Sequence, residues 1–215
     1  MARNKHPEVT VERILQAARR LFLEKGYEQT TIQDIVDNLD GLTKGAVYHH
    51  FRSKEEIFDA LGDKLFFDSN PFDAVRDRTD LTALEKIREV IRLHAANGEY
   101  RALTVQGMPL LKNPRILSNM IDANRRLISP LWLALIEEGQ RDGSIPTQYP
   151  KELSELMPLM TNLYLSPDLF PGGAADLARR FRCICAMLEA LGLPLLDREL
   201  EALAGEYFCQ ISGAE

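Results

Sequence analysis

The chain has 215 residues, 45% of them hydrophobic and 27% charged, enough to bury a sizeable core in one domain of about 150 residues plus a smaller one. No apolar run reaches the roughly 18 residues a membrane span needs, and the opening MARNKHPEV lacks the apolar stretch of a signal peptide, so a cytoplasmic protein with no membrane partner is expected. The net charge of −6 does not exclude nucleic acid, because it is segregated: residues 1–54 carry nine Lys and Arg against seven Asp and Glu, and the other 161 carry 17 against 25.

Arg3, Lys5 and His6 precede Pro7 and form a short basic arm, suited to touching phosphates or simply to being solvated as a chain end. Val11, Ile14, Leu15, Ala18, Leu21 and Phe22 recur at spacings of three and four, which predicts an amphipathic helix over residues 10–25, and Gly26 is placed to end it in a left-handed cap. Thr30 and Gln33 have the spacing of a capping box, with Ile32, Ile35, Val36 and Leu39 on one face of the short helix that follows. Asp40 and Gly41 break the pattern. A second short helix runs to about His50, with Leu42, Val47 and Phe51 inward and Thr43, Lys44, Gly45, Tyr48 and His49 outward. A helix in a major groove needs a small residue at its closest approach and polar or cationic side chains that reach base edges and phosphates. Gly45 and Ala46 meet the first need; Thr43, Lys44, Tyr48 and His49 meet the second. Ser53-Lys54-Glu55-Glu56 is a further capping box, and a lysine in the first turn of a helix can hold a phosphate.

Three segments in this order, Ile14-Leu15-x-Ala17-Ala18-x-x-Leu21-Phe22-x-Glu24-Lys25-Gly26-Tyr27, Thr30-Thr31-Ile32-x-Asp34-Ile35 and Thr43-Lys44-Gly45-Ala46-Val47-Tyr48-His49-His50-Phe51-x-Ser53-Lys54-Glu55-Glu56, resemble the N-terminal domain of the tetracycline-repressor (TetR) family. The resemblance covers about the first 65 residues. It implies an all-α protein, with a three-helix helix-turn-helix DNA-binding domain (1–68) before a larger helical ligand-binding and dimerisation domain (69–215). It places Thr31, Thr43, Lys44, Gly45, Ala46, Tyr48, His49, His50 and Lys54 at the DNA. One departure stands out: Asp34 and Gly41 are seven residues apart where the family turn has six, so one residue is extra within Leu39-Asp40-Gly41-Leu42.

A helix carrying Ile57, Phe58, Leu61, Leu65 and Phe66 should run from Ser53 to about Asp68, and Asp68-Ser69-Asn70-Pro71 is a breaker cluster that marks the boundary. Beyond it Leu81, Leu84, Ile87, Ile91 and His94 trace one helix face ending near Asn97-Gly98, followed by helices over 99–106, 114–141 and 150–165. Pro130 and Pro158 should kink the last two and leave room for a small-molecule effector, with His94, Tyr100, Arg101, Met108, Met120, Asn124, Trp132, Met160 and Tyr164 as candidate lining residues beside their plainer reading as core.

Leu153, Leu156, Met160 and Leu163, then Leu177, Phe181, Ile184, Leu188 and Leu191, form two heptad-like seams that suit a four-helix bundle with a second copy, or else close the chain's own core. A helix from Asp197 to about Ile211 has no functional reading. Cys183, Cys185 and Cys209 are too few and too oddly spaced for a disulfide framework, and neither a metal nor a cofactor is expected.

These features point to a DNA-binding regulator, a repressor by the resemblance, acting as a homodimer on a palindromic or near-palindromic operator and controlled by a small molecule. A helix-turn-helix docking on another protein without an effector is the alternative. A helical enzyme finds no nucleophile, base and orienting group at useful spacing.

Overall fold

The computed structural model describes residues 7–212, so the basic arm of Arg3, Lys5 and His6 lies outside the described residues. The described chain is helical: α1 (Pro7–Lys25), α2 (Ile32–Asp37), α3 (Lys44–His50), α4 (Lys54–Asp68), α5 (Pro71–Arg76), α6 (Ala83–Ala96), α7 (Gly98–Gly107), α8 (Pro114–Ala123), α9 (Ser129–Asp142), α10 (Pro150–Leu159), α11 (Ala174–Ala190) and α12 (Arg198–Ile211). A 3-10 turn occupies Met108–Lys112, and π turns occupy Asn124–Ile128 and Met160–Tyr164.

The chain divides into two compact units. The first runs to Asn70 and takes in Gly98–Gly107; the second comprises Pro71–Asn97 and everything from Met108 onward. The break expected after residue 68 therefore falls two residues from the end of the first stretch. Helix α7, expected in the C-terminal part, groups with the head.

In the first unit α1 buries Ile14, Leu15, Ala18, Leu21 and Phe22 of the three-and-four stripe, together with Ala17, while Val11 is half-buried. Gly26, at φ +84°, ends the helix and its N–H donates to the Phe22 carbonyl at 3.0 Å. Phe22, Tyr27 and Phe58 form an aromatic triangle with centroids 5.0 to 5.5 Å apart, each pair contributing about 0.5–1.5 kcal/mol beyond simple burial. Helix α7 closes over this core through Gln106, whose side chain accepts from the Tyr27 N–H at 2.8 Å and donates to the Phe22 carbonyl at 3.1 Å. Arg19 and Glu99 add a paired ionic contact. At six and seven residues α2 and α3 are too short to persist alone, and buried Ile35, Leu39, Val47 and Phe51 seat them on the rest of the unit.

In the second unit α9 packs between α6 and α10, α5 lies against α6, and α12 packs on α11 and α6. The buried face of α6 is Ala83, Lys86, Ile87 and Val90, rotated from the expected stripe; Leu84 and Ile91 are half-buried and His94 is exposed. The rotation follows from Lys86. Its buried ammonium lies 2.8 Å from Glu138 on α9, so an ionic contact occupies a place on the buried face that the apolar pattern did not include. Arg88 donates to the Pro194 and Leu195 carbonyls and Arg92 to Asp197, which anchors the start of α12.

The predicted proline kinks take the form of π turns. Pro130 has no N–H to return to the preceding turn, and the chain widens just before it, the Ser129 N–H reaching the Asn124 carbonyl. Near Pro158, the Thr161 hydroxyl donates to the Met157 carbonyl at 2.9 Å as the chain enters the second π turn.

Candidate nucleic-acid interface

The helix-turn-helix is built from three linked caps. Thr31 caps α2: its hydroxyl accepts from the Asp34 N–H at 3.1 Å, and the Asp34 carboxylate accepts from the Thr31 N–H at 2.7 Å. This corrects the expected Thr30–Gln33 box by one residue. Thr30 is fully buried and its hydroxyl donates to the Gly26 carbonyl at 2.8 Å, which leaves the cap to Thr31. Asp34 also pairs with Lys25 at 2.9 Å; the Thr31 hydrogen bonds, reinforced by Lys25, hold its carboxyl down to about 2. Thr31 is exposed at the start of α2, but its hydroxyl is engaged in this cap.

The turn accommodates its extra residue without disturbing the helices. Leu39 stays buried, the Leu42 N–H donates to the Leu39 carbonyl at 3.2 Å, and Gly41 takes φ +73°, a conformation that disfavours any side chain. Two arginines of α1 hold the turn from outside. Arg20 donates to the Asn38 side-chain oxygen at 2.8 Å, and Arg13 donates to the Asp40 carbonyl at 2.7 Å. Sequence reasoning did not single out either arginine; the available signal was two cations seven residues apart beside an over-long turn.

Thr43 caps α3, accepting from the Ala46 N–H at 3.2 Å. Val47 faces inward and is fully buried. Thr43, Lys44, Gly45, Tyr48 and His49 are exposed, Ala46 and His50 are half-buried, and the rings of His49 and His50 meet edge to face. An added Cβ at Gly45 would meet only the Thr43 hydroxyl, at 3.8 Å, so that side of the helix is open.

Ser53 caps α4 by accepting from the Glu56 N–H at 3.3 Å, while Glu56 reaches one residue further back, to the Arg52 N–H at 2.7 Å. The side chain of Lys54 is committed elsewhere than to a phosphate. Its ammonium donates to the Tyr27 carbonyl at 2.7 Å and lies 4.0 Å from the centre of the Tyr27 ring, and burial lowers its pKa. The ammonium thus pins α4 to the loop after α1, and what Lys54 offers to an anion is its place at a helix N-terminus. The exposed cation of this corner is Arg52.

The effector candidates have unlike surroundings. Tyr100 and Arg101 are on α7, in the first unit. His94 keeps part of its surface exposed while burial lowers its pKa, and exposed Tyr164 packs edge-on against Phe170 and beneath Arg180. Met108, Met120 and Met160 are half-buried, and Trp132 meets Phe72 at 4.6 Å. Two of the candidates carry a buried, unbonded nitrogen: the Arg101 Nε on α7 and the amide of buried Asn124, at the head of a π turn that packs against α10.

The seam residues also divide. Leu153, Leu177, Ile184 and Leu188 are at most 3% exposed, and Phe181 meets Phe208 of α12, so this half of the pattern closes the unit's own core and is unavailable to a second copy. Leu156 and Leu191 are exposed, together with Met187, which the seams omitted; Met160 and Leu163 are half-buried. Cys183 and Cys209 are exposed and free, and burial pushes the Cys185 thiol up to about 11. Among the described residues no three His, Cys, Asp or Glu side chains gather as metal ligands, and no helix is long and apolar enough to cross a membrane.

The family described as bacterial regulatory proteins, tetR family, matches residues 14–61, the span from the middle of α1 into α4. The chain is similar to the transcriptional repressor KstR2 of Mycolicibacterium smegmatis, 27% identical over 139 residues that cover 62% of this chain and 66% of that protein. KstR2 of Mycobacterium tuberculosis is 31% identical over 137 residues, 60% of this chain and 66% of that protein. These matches span 66% of the curated relatives' length. Among solved structures, Salmonella enterica GusR superposes with a TM-score of 0.61 at 23% identity, covering 89% of this chain and 99% of that one, which extends the likeness in fold through the second unit.

Proposed function

Since the chain belongs to the tetR family of bacterial regulatory proteins, we propose that it is a sequence-specific transcriptional repressor whose hold on DNA is controlled by a small molecule. The observation that carries this reading is α3: a capped helix with Val47 turned inward and Thr43, Lys44, Gly45, Tyr48 and His49 turned to solvent. Thr43, Lys44, Tyr48 and His49 read base edges, Ala46 and Gly45 permit the close approach, and His50 and Arg52 meet the backbone with the N-terminal turns of α2 and α4. The modest excess of positive charge in the head means that placed contacts, more than a general basic field, provide the affinity.

Two copies join through the apolar residues left exposed on α10, on α11 and just past its end, namely Leu156, Met187 and Leu191, with Met160 and Leu163 at the edge. A two-fold dimer presents its recognition helices to successive major grooves about 34 Å apart and calls for a palindromic operator. The effector binds in the second unit, where the unbonded Asn124 amide supplies a donor. It regulates by favouring one of two states, and about 5.5 kcal/mol of differential affinity would take an operator from nearly full to nearly empty. The site of action is the cytoplasm.

Selection of random duplexes on the purified protein tests this reading. Recovery of a two-fold symmetric site supports it, and no enrichment at low salt would sink it.

A further inference from the structure

We propose that Arg13 is a positioning residue for sequence reading: through the Asp40 carbonyl it fixes the lengthened turn, and with it the angle at which α3 enters the groove. The inference rests on the DNA-reading function proposed above and extends it to a residue on a different helix.

The turn between α2 and α3 holds one residue more than the family pattern, and Asp40 is where the chain bulges: Leu39 before it is buried, Gly41 after it is left-handed, and Asp40 itself is exposed. A longer turn gains freedom to swing, and any swing is passed to α3, whose cap Thr43 follows two residues after Gly41. Three ties from α1 oppose that motion: Lys25 to Asp34 at the start of α2, Arg20 to Asn38 at its end, and Arg13 to Asp40 in the bulge. Arg13 and Arg20 are seven residues apart, two helical turns and about 10 Å along the same face of α1, so they grip the turn at two separated points. Arg20 holds a side chain that any flexing of Asn38 can follow. Arg13 holds backbone. Of the three, it alone is bonded to the backbone of the turn between the helices.

Base edges are read by hydrogen bonds that fail when a side chain is misplaced by less than an ångström or so, whereas phosphate contacts tolerate small rotations. Losing Arg13 should therefore cost discrimination more than overall affinity. The experiment is duplex selection followed by titration of the selected and an unrelated duplex against wild type, Arg13→Ala, Arg13→Lys, a chain lacking Asp40, and that chain with Arg13→Ala, with a thermal melt of each. For Arg13→Ala we expect unrelated-duplex affinity within about twofold of wild type and preference for the selected site reduced about tenfold, the size of one misread base pair. Arg13→Lys, which still donates to the carbonyl, should recover most of it. In the shortened turn Arg13→Ala should change the preference by less than about twofold, because coupled residues cease to couple when the shared element is gone. An unchanged preference in Arg13→Ala, or equal loss on both duplexes from a phosphate contact or general unfolding, overturns the inference. Failure of wild type to enrich any sequence overturns the DNA-reading function itself, a distinct result.

Discussion

The Lys54 ammonium donates to the Tyr27 carbonyl at 2.7 Å and lies over the same residue's ring, so the first turn of α4 is fastened to the loop that follows α1. That loop also carries the aromatic triangle with Phe22 and Phe58, and Lys54 thereby ties the first turn of α4 to the same cluster. Lys54→Met should remove the hydrogen bond and the ring contact together. We expect a loss of about 1–2 kcal/mol in urea unfolding, with specific and unrelated DNA weakened by similar factors. A variant as stable as wild type but with a shallower salt dependence of binding would show that the ammonium leaves Tyr27 to hold a phosphate.

Asp34 sets an acid limit on the head. Its carboxyl sits at about 2 in the folded chain against an ordinary 3.8, because Thr31 and Lys25 stabilise the charged form. The sign follows: a depressed acid stabilises the fold fully above its unfolded pKa, and that contribution drains away as pH falls from near 4 through about 2. Carbon chemical shifts of the Asp34 carboxyl should titrate near 2, and Asp34→Asn should lose less stability than wild type between pH 5 and pH 3. A midpoint near the ordinary value would mean that the cap is open in solution.

Much of this head is readable from residue types alone. The α1 stripe, the Gly26 cap, the Ser53 start and the outward set on α3 all follow from local periodicity and capping chemistry, and they stand as read. The cap of α2 is ambiguous in the sequence because Thr30 and Thr31 are adjacent and equally able to accept a hydrogen bond; burial of Thr30 decides between them, and burial is a tertiary property. Lys54 reads as a phosphate ligand because sequence shows charge and spacing but not that a carbonyl 27 residues earlier comes within reach. In the C-terminal part, Lys86 among apolar residues hid the true face of α6, and the seams of α10 and α11 merged two functions. Half of their leucines are consumed by packing inside the chain, where α11 meets an α12 that periodicity left without a role.

The surface left over by that packing carries the next prediction. Met187 and Leu156 are 51% and 44% exposed, too much apolar surface on neighbouring elements to be idle if a second copy covers them. Met187→Glu should convert a dimer into a monomer by sedimentation, with helical content unchanged and operator affinity reduced about a hundredfold or more as the two half-sites uncouple. Retention of the dimer would move the interface elsewhere.

Gly139 tests the packing of the second unit. A Cβ at this position would lie 2.4 to 2.8 Å from the side chain of fully buried Ile145, closer than carbon atoms approach. Gly139→Ala should therefore destabilise by about 1–3 kcal/mol despite its gain in helix propensity, and Ile145→Val in the same chain should return part of the loss. A neutral or stabilising effect on thermal unfolding would show that the α9 to α10 connection yields easily.

The reading head itself is tested most directly by fluorescence anisotropy of a selected duplex and a scrambled one, at near-physiological salt, with wild type and the double variant Lys44→Ala, Tyr48→Ala. Both side chains are exposed on α3 and neither supports the core, so the variant should fold as wild type does and keep its oligomeric state. We expect its preference for the selected duplex to fall by about a hundredfold, two lost base contacts' worth, while the scrambled duplex binds nearly as before. Undiminished preference in the double variant would contradict the assignment of α3 as the element that reads DNA.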